Sequence, residues 1–362
     1  MIPNAGGSFN GYYYIPASDE ANLQGGYTYT YDVTVSEHGT LHVTVAPPIA
    51  GWTDNGEGNS GTAYNEVIDL NNPVTTINDD GKYLLTGSGQ NVTLNITGGN
   101  PTVIIRNLRL SNGCIHIIGS TPEIRVEGTG NYIMGGVNPP IWLDGDNANV
   151  LVTGTGITGS KLNLLTGPDH PNAAIGTKGS SNGNKEDYRC GNIVLSNFTL
   201  TAETQAMAGG SGAAIGTGGG EGNRKCGNIT LTDAQLIATP GAGAASIGFG
   251  CAPSGTNMTG TTYEMGDIVL TNSTIASEIK QGWNGIYPAH IGGGSVMAGS
   301  YTIGVICFNT DKSRERFFQD FTGGTKGNDE VVVGFPNGNE WHYITWIVTK
   351  YTEITWGMVP TL

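Results

Sequence analysis

A short phrase of apolar and small residues recurs through the middle of the chain. It reads Ala-Ala-Ile-Gly-Thr at Ala173–Thr177 and again at Ala213–Thr217, and it returns with changes at Ala245–Phe249 and Ala289–Gly293. The phrase stays nearly constant while the intervals between its copies vary. This pattern indicates one structural unit that is repeated with insertions of different length.

A second phrase lies between the copies of the first. It occurs at Cys190–Leu195, Cys226–Leu231 and Met265–Leu270. Apolar and polar residues alternate in it, and a polar residue, Asn197, Asp233 or Asn272, follows each copy. Alternation with period two predicts a strand, and the short polar residue predicts a corner.

The same strand-and-corner pattern extends towards the N-terminus. It fits Val103, Ile105 and Asn107, then Ile124, Val126 and Gly128, then Val150, Val152 and Gly154. A unit of this length, folded as about three strands, stacks on its neighbour at the strand spacing of ~4.8 Å. We therefore expect an all-β chain built around a right-handed parallel β-helix, with Ile193, Ile229 and Ile268 in one interior ladder.

The N-terminal region has a different pattern. Tyr31–Val35 and Leu41–Val45 alternate on either side of a turn at residues 37–39, which predicts an antiparallel hairpin. This run resembles the closing strands of the fimbrillin family, the β-sandwich pilins and pilus-associated adhesins of gut and oral bacteria. The region is too short for a whole two-sheet sandwich, so we expect the chain to be the C-terminal part of a longer surface protein.

Three regions are predicted along the chain. Residues 1–75 form a small fimbrillin-like antiparallel β region, residues 76–310 form the parallel β-helix, and residues 311–362 form a C-terminal β cap. Within the cap, residues 312–318 suggest a short helix and residues 331–333 and 341–356 suggest strands. A cap is expected because an exposed last repeat would present unpaired backbone groups to other chains.

The repeated phrases also carry a resemblance. With the segment Asn100–Leu108, they are similar to the Gly-rich β-helix domain of bacterial surface proteins that are often labelled carbohydrate-binding. The resemblance covers about 220 residues. It implies a secreted or cell-surface, fimbria-associated adhesin or glycan-binding protein.

Composition narrows the class of protein. The chain has 362 residues, 59 of them Gly, and a formal net charge of −14, which argues against nucleic acid as a partner. It has no apolar run long enough to span a membrane. The five cysteines show no metal-ligand spacing, and Cys190 and Cys226 fall at the same position of successive repeats, where we favour a ladder of small side chains over a disulfide.

Catalytic chemistry has only scattered candidates in the sequence. Asp144 and Asp146 could begin a calcium site, but a solvated Asp-Gly turn is the favoured interpretation, and His170 lies in a Gly/Pro loop. Arg189, Lys225 and Glu264 precede the Cys or Met position of successive repeats, and we expect Lys225 to pair with Glu264. No catalytic residue, metal or cofactor is predicted, and the alternatives are a β-helix polysaccharide lyase or glycoside hydrolase and a structural stalk.

Aromatic residues in the insertions are the predicted carbohydrate-binding residues. Sugars bury their apolar faces on Trp and Tyr rings, and Tyr263, Trp283 and Tyr287 lie in or beside such insertions. The insertions, at residues 178–189, 218–225, 251–264 and 280–288, are expected to leave the same edge of successive repeats. A glycan partner would then bind along this wall.

Overall fold

The chain divides into two compact units, Met1–Ala63 and Tyr64–Leu362. The computed structural model describes residues 64–180, 185–207, 210–252, 261–282, 288–295 and 300–308, with short strands between 27 and 50 and between 333 and 355. Regular structure in these residues consists of strands, and no helix occurs among them. Accordingly, this part of the chain contains no helix of the length and apolar character that crossing a membrane requires.

The first unit contains the predicted hairpin. Tyr31–Val35 pairs antiparallel with Leu41–Val45, with Val33 opposite Val43. A second antiparallel pair joins Tyr27–Thr28 to Ile49–Ala50. The alternating pattern therefore located both strands of the hairpin.

The largest sheet of the second unit is a curled sheet of fourteen strands, thirteen of which run parallel to their neighbours. Its strands are Glu66–Val67, Lys82–Gln90, Thr102–Ser111, Glu123–Met134, Val150–Gly154, Ser160–Leu165, Ile193–Ser196, Thr199–Glu203, Ile229–Thr232, Gln235–Thr239, Ile268–Thr271, Thr274–Ser277, Val305–Phe308 and Glu353–Thr355. The three long strands near its start span both halves of the sheet. From Val150 onward each repeat contributes two shorter strands separated by a corner.

The second sheet has nine parallel strands, one from each repeat. They are Val74–Ile77, Thr93–Ile96, Cys114–Ile118, Ile141–Asp144, Ile175–Gly176, Ile215–Gly216, Ile247–Gly248, Ile291–Gly292 and Val333–Gly334. Strands at Glu66 and Val74 already pair with the repeats that follow, so the parallel sheets begin before residue 76.

A third sheet, of four strands, was not predicted from the sequence. Tyr188–Cys190, Arg224–Cys226, Thr262–Met265 and Ser300–Ile303 pair in parallel, and the first three lie at the ends of insertions 178–189, 218–225 and 251–264. These three insertions therefore end as strands that return to the body of the protein. Two short antiparallel pairs complete the described strands of this unit, Ala206–Met207 with Gly210–Ser211 and Pro336–Asn337 with Glu340–Trp341.

The interior ladder has the predicted register. Ile193 pairs with Ile229, and Ile229 pairs with Ile268, and all three side chains are fully buried. The ladder continues to Val150 on one side and Ile306 on the other. Each such buried side chain contributes roughly 1.5–3 kcal/mol to the stability of the fold.

The register upstream departs from the predicted one by two residues. Ile124 pairs with Val103 as expected, but on its other side it pairs with Val152 and not with Val150. A shift of two keeps every side chain on its own face, so alternation cannot distinguish the two registers.

The predicted corner is confirmed at its polar positions, whereas the predicted corner at Gly154 is wrong, because the positive φ lies two residues later at Gly156. Asn107, Asn197, Asp233 and Asn272 all have left-handed backbone conformations, with φ between 47° and 59°. Asn and Asp tolerate this conformation better than other residues with a side chain.

The Ala-Ala-Ile-Gly-Thr phrase forms a closed loop. The N–H of its first residue donates to the carbonyl of its fifth, as from Ala213 to Thr217. Its glycine has a positive φ of 128° at Gly216, where a Cβ would overlap the carbonyl oxygen of Gly248 in the next repeat. Only glycine fits this position, which explains why it recurs.

The Gly-Asn pair of the second phrase also has a structural role. The Asn149 side-chain oxygen accepts a hydrogen bond from the backbone N–H of Asn192 at 2.7 Å, and Asn192 does the same for Asn228 at 2.8 Å. This ladder of amides satisfies backbone donors at the bend between strands.

Strands of the C-terminal region pair with both large sheets. Glu353–Thr355 lies antiparallel to Val305–Phe308, and Val333–Gly334 lies parallel to Ile291–Gly292. These pairings supply partners for the edges of the last repeat. The short helix expected at residues 312–318 lies outside the described residues.

Candidate functional site

An aromatic stack lies on the outer face of the nine-stranded sheet. His116 and Trp142 are neighbours in adjacent strands, and their rings are parallel within 2° with centroids 3.6 Å apart. Their strand neighbours Ile115, Ile117 and Leu143 are fully buried. Because side chains alternate along a strand, the His and Trp rings stand on the opposite face, away from the core.

A cation covers the second face of the indole. The strand partner of Trp142 in the next repeat is Gly176, which has no side chain to cover the ring. Lys178, two residues farther on, places its Nζ 4.2 Å from the centre of the Trp142 ring. This distance and position are those of a cation–π interaction.

Both nitrogens of His116 have polar neighbours. Nδ1 lies 3.1 Å from Oδ1 of Asn95, and Nε2 lies 3.3 Å from Oδ2 of Asp144. A neutral imidazole has one N–H, so it donates to only one of these oxygens, and an imidazolium donates to both. The side chain of His116 is only 11% exposed, whereas that of Asp144 is 45% exposed.

The rim of the stack has unpaired polar atoms. The indole Nε1 of Trp142 and Oδ1 of Asn138 are buried and lack a hydrogen-bond partner in the part of the chain that is described. Asn138 Nδ2 and Thr93 Oγ1 each lie 3.8 Å from the sulfur of Cys114, and burial raises the pKa of this thiol. A buried donor without an acceptor is costly, which makes this rim a place where a ligand acceptor would be stabilised.

A group of charged residues adjoins the stack. Asp146 binds the Lys225 ammonium at 2.8 Å and lies 3.4 Å from Arg189. Hydrogen bonding to Lys225, aided by Arg189, lowers the pKa of Asp146. The expected pair between Lys225 and Glu264 is wrong, because the Lys225 ammonium lies on Asp146 although strand register sets the two residues side by side.

The two aspartates of the Asp-Gly-Asp turn therefore have separate partners. Asp144 contacts His116, Asp146 contacts the two cations, and Gly145 between them has a φ of 108°. Among the residues that the structure describes, no group of three or more His, Cys, Asp and Glu side chains is arranged to hold a metal ion. The geometry fits the turn interpretation of this segment.

Of the three aromatic residues predicted to bind carbohydrate, only Tyr263 is described, and it is buried. Its exposed fraction is 2%, and its ring meets Phe249 edge-on with centroids 5.6 Å apart. Burial raises the pKa of Tyr263 to about 12. This ring offers no free face to a sugar, because its strand returns to the third sheet. Trp283 and Tyr287 lie outside the described residues, and their role stays a prediction.

Tyr263 belongs to a buried column that includes Arg224. Arg224 pairs with Tyr263 on one side, and on the other its guanidinium lies 5.2 Å from the ring centre of Tyr188. Burial lowers the pKa of Arg224, and burial together with the Glu186 carboxylate raises the pKa of Tyr188. The column fixes the ends of two insertions in place.

Arg224 holds these insertions mainly through backbone carbonyls. Its guanidinium donates to the carbonyl oxygens of Glu186, Gly219, Glu221 and Asn223 at 2.6–3.0 Å, and to Ser180 Oγ at 2.7 Å. Residues 178–189 and 218–225 were predicted to be loops. The sequence could not show how Arg224 holds them, because every residue has a backbone carbonyl and its hydrogen bonds do not depend on residue type.

Two further histidines, one of them the His170 considered in the sequence, belong to other segments of the repeats. His170 is partly buried in its loop beside Asp169, whose φ is 64°, and His290 is buried inside the repeat. The cluster of Asn95, His116, Trp142, Asp144 and Lys178 was missed because its members come from four successive repeats. The sequence signal that could have found it is the alignment of the repeats themselves, which puts His116 and Trp142 in one column.

Comparison with known proteins found no matching protein-family model, no matching curated protein and no matching solved structure.

Proposed function

We propose that this chain is a glycan-binding adhesin of a bacterial cell surface or fimbria, without catalytic activity. The proposal includes the finer fold, a right-handed parallel β-helix between a fimbrillin-like N-terminal region and a C-terminal β cap. Its support is the in-register parallel pairing of successive repeats in three sheets. The Gly-rich surface domain that the repeated phrases resemble is the basis for the expected location.

The observation that carries the function is the Trp142 stack. An outward indole has His116 on one face and Lys178 on the other, with Asn95 and Asp144 nearby, so a sugar would stack on it after the flexible lysine stem turns aside. Carbohydrate sites combine an aromatic side chain with a few fixed hydrogen-bonding groups. The half-exposed Asp144 carboxylate is suited to accept hydrogen bonds from sugar hydroxyls.

The contacts of the His116 ring favour a binding function over a catalytic one. In a polysaccharide lyase or glycoside hydrolase, the alternative function, His116 with Asp144 would be the candidate proton-transfer pair. Both ring nitrogens of His116 already face partners, and one ring face lies against Trp142. A base must reach the proton that it removes, and this imidazole has no free nitrogen directed at a substrate. Its geometry is that of a residue that positions Trp142.

The test is a glycan array probed with the full chain. The wild-type protein is expected to bind a defined set of glycans, and Trp142→Ala is expected to lose that binding by at least about tenfold. Ile237→Ala is the control, because it truncates an exposed apolar residue on the fourteen-stranded sheet. Thermal unfolding of each variant shows whether loss of binding reflects loss of fold.

Three results would contradict the proposal. Equal binding by the wild-type protein and a folded Trp142→Ala variant would remove the site. Release of products from uronate-containing polymers in a calcium-supplemented assay would favour the lyase alternative. A wild-type protein that binds no glycan while holding a neighbouring domain away from the cell would favour the structural stalk.

A further inference from the structure

Lys178 is a cation without a carboxylate partner in the described part of the chain. It makes no ion pair within 4 Å there, and its ammonium lies over the Trp142 ring. An ammonium group has three donors, and a ring face satisfies none of them as an oxygen would. Lys178 is thus available to bind an anion at the edge of the stack.

The indole beneath Lys178 also carries a hydrogen-bond donor without an acceptor among the described residues. Trp142 Nε1 is a donor without an acceptor, and it belongs to the ring over which Nζ lies at 4.2 Å. Two unmatched donors therefore stand within the dimensions of one ring. Because Nε1 is buried, one anionic group would accept from both donors only after the flexible lysine stem turns the ammonium off the ring.

The neighbouring acidic side chains do not fill this role. Asp144 is engaged with His116, and Asp146 is engaged with Lys225 and Arg189. Glu186, in the same insertion as Lys178, accepts a hydrogen bond from the Tyr188 hydroxyl. The chain does not supply the missing acceptor from these residues.

We infer that the saccharide bound at the Trp142 stack carries an anionic substituent, an ester sulfate or a carboxylate, which binds Lys178. This inference rests on the proposed glycan-binding function and adds the chemical class of the ligand. The net charge of −14 makes most of the surface unfavourable for such a ligand. A local unpaired cation would therefore select both the ligand and its position.

The experiment measures affinity of the full chain for matched saccharide pairs by calorimetry. One pair is an oligogalacturonate and its methyl ester, and the other is a sulfated galactan oligosaccharide and its desulfated form. The acidic member of at least one pair is expected to bind about tenfold more tightly, and the difference should shrink as sodium chloride is raised. The two pairs distinguish a carboxylate from a sulfate.

Variants assign the preference to Lys178. Lys178→Gln should reduce the preference for the acidic saccharide to under about twofold, and it should weaken binding of the acidic member more than binding of the neutral member. Lys178→Arg should retain the preference. Lys161→Gln, an exposed lysine of the fourteen-stranded sheet, is the matched control and should behave as the wild type.

The outcomes separate this inference from the proposed function. Trp142-dependent binding of neutral saccharides with no preference for acidic ones would overturn the inference and leave the glycan-binding function in place. A preference that survives in Lys178→Gln would also overturn it. Inorganic sulfate that binds as tightly as the saccharide would show a site for free anions instead. If neither neutral nor acidic saccharides bind, both proposals fail.

Discussion

At the scale of single residues, the protein balances charge in two different ways. Arg224 is fully buried and has backbone carbonyls and one hydroxyl around its guanidinium. Asp146 lies near the surface and is balanced by two cations, Lys225 and Arg189. Buried and exposed charges differ greatly in what their removal costs, because water replaces a lost partner only at the surface.

Arg224→Met should destabilise the protein strongly. The change removes a guanidinium donor from four carbonyl groups beneath the insertions, and each lost hydrogen bond to this charged group costs about 1.5–3 kcal/mol, although Ser180 or Tyr188 still donates to three of the carbonyls. We expect the free energy of unfolding in urea to fall by at least about 3 kcal/mol. Arg189→Met is the control, and its effect should stay below about 1 kcal/mol because its side chain is 53% exposed. Similar losses in both variants would contradict the role given to Arg224.

Asp146 should make a small, pH-dependent contribution to stability. Its cationic partners lower its pKa in the folded protein below the ordinary value of 3.8, so the unfolded chain binds the proton more readily. The contribution is present above pH 3.8 and is lost as the pH falls below that value through the folded-state pKa. Because the side chain is 42% exposed, we expect a contribution under about 1 kcal/mol.

The measurement compares the wild type with Asp146→Asn in urea at several pH values. The difference in free energy of unfolding should be largest near neutral pH, decline in acid and shrink at high salt. A difference that grew in acid would show that the sign is wrong.

At the scale of elements, ladders and corners carry the fold. Equivalent residues of successive repeats stack in parallel register, so a single substitution affects the repeats on both sides. Substitutions in the Ile193–Ile229–Ile268 ladder and at the left-handed corner residue Asn272 are expected to have such effects.

Ile229→Asp should unfold the central repeats. The residue has no exposed surface and has buried isoleucines above and below it, so a carboxylate there would be desolvated without a partner. We expect loss of the cooperative thermal transition. Thr230→Asp is the matched control, since this neighbour points away from the core and is partly exposed. A cooperative transition that persists in Ile229→Asp would contradict the ladder.

Asn272→Val should cost about 1–2 kcal/mol in thermal or urea unfolding. Its φ of 51° is left-handed, where a β-branched side chain is strained. The Asn272 amide also donates to the Asp233 carboxylate in the neighbouring corner. Asn272→Gly relieves the backbone strain but loses this hydrogen bond. Its free energy of unfolding should therefore lie between those of the wild type and Asn272→Val. Glycan binding is expected to be unchanged, and a binding change at constant stability would place the corner in a site.

At the scale of the whole molecule, the second unit has a core that begins close to its first residue. Ile68 is buried, and Leu70 packs against the core cluster. The strand Glu66–Val67 pairs with Lys82–Gln90. These residues lie before residue 76, where the repeat pattern first becomes readable in the sequence.

A chain of residues 64–362 should therefore fold alone with a cooperative transition. A chain of residues 76–362 should be less stable, because it lacks the first strand and uncovers apolar surface that Ile68 and Leu70 cover. Circular dichroism with thermal unfolding of both chains is the measurement. Equal stability of the two would favour the later boundary.

Much of the fold could be predicted from the sequence alone because repetition and alternation are local properties. The fixed phrases located the Ile229 ladder, the short polar residues located the Asn272 corner, and alternation located the N-terminal hairpin. Alternation could not choose between Val150 and Val152 as the partner of Ile124, since both registers keep the same face inward.

The candidate site was decided only by the tertiary structure. His116, Trp142 and Lys178 come from different repeats and meet because strand register and a glycine place the lysine over the indole. Tyr263 was predicted to be an aromatic residue of a loop, but it lies in a strand of the third sheet, where it pairs with Arg224 and is buried. Sequence pattern fixes which residues share a face, whereas contacts across repeats depend on insertion length and backbone path, which no residue type encodes.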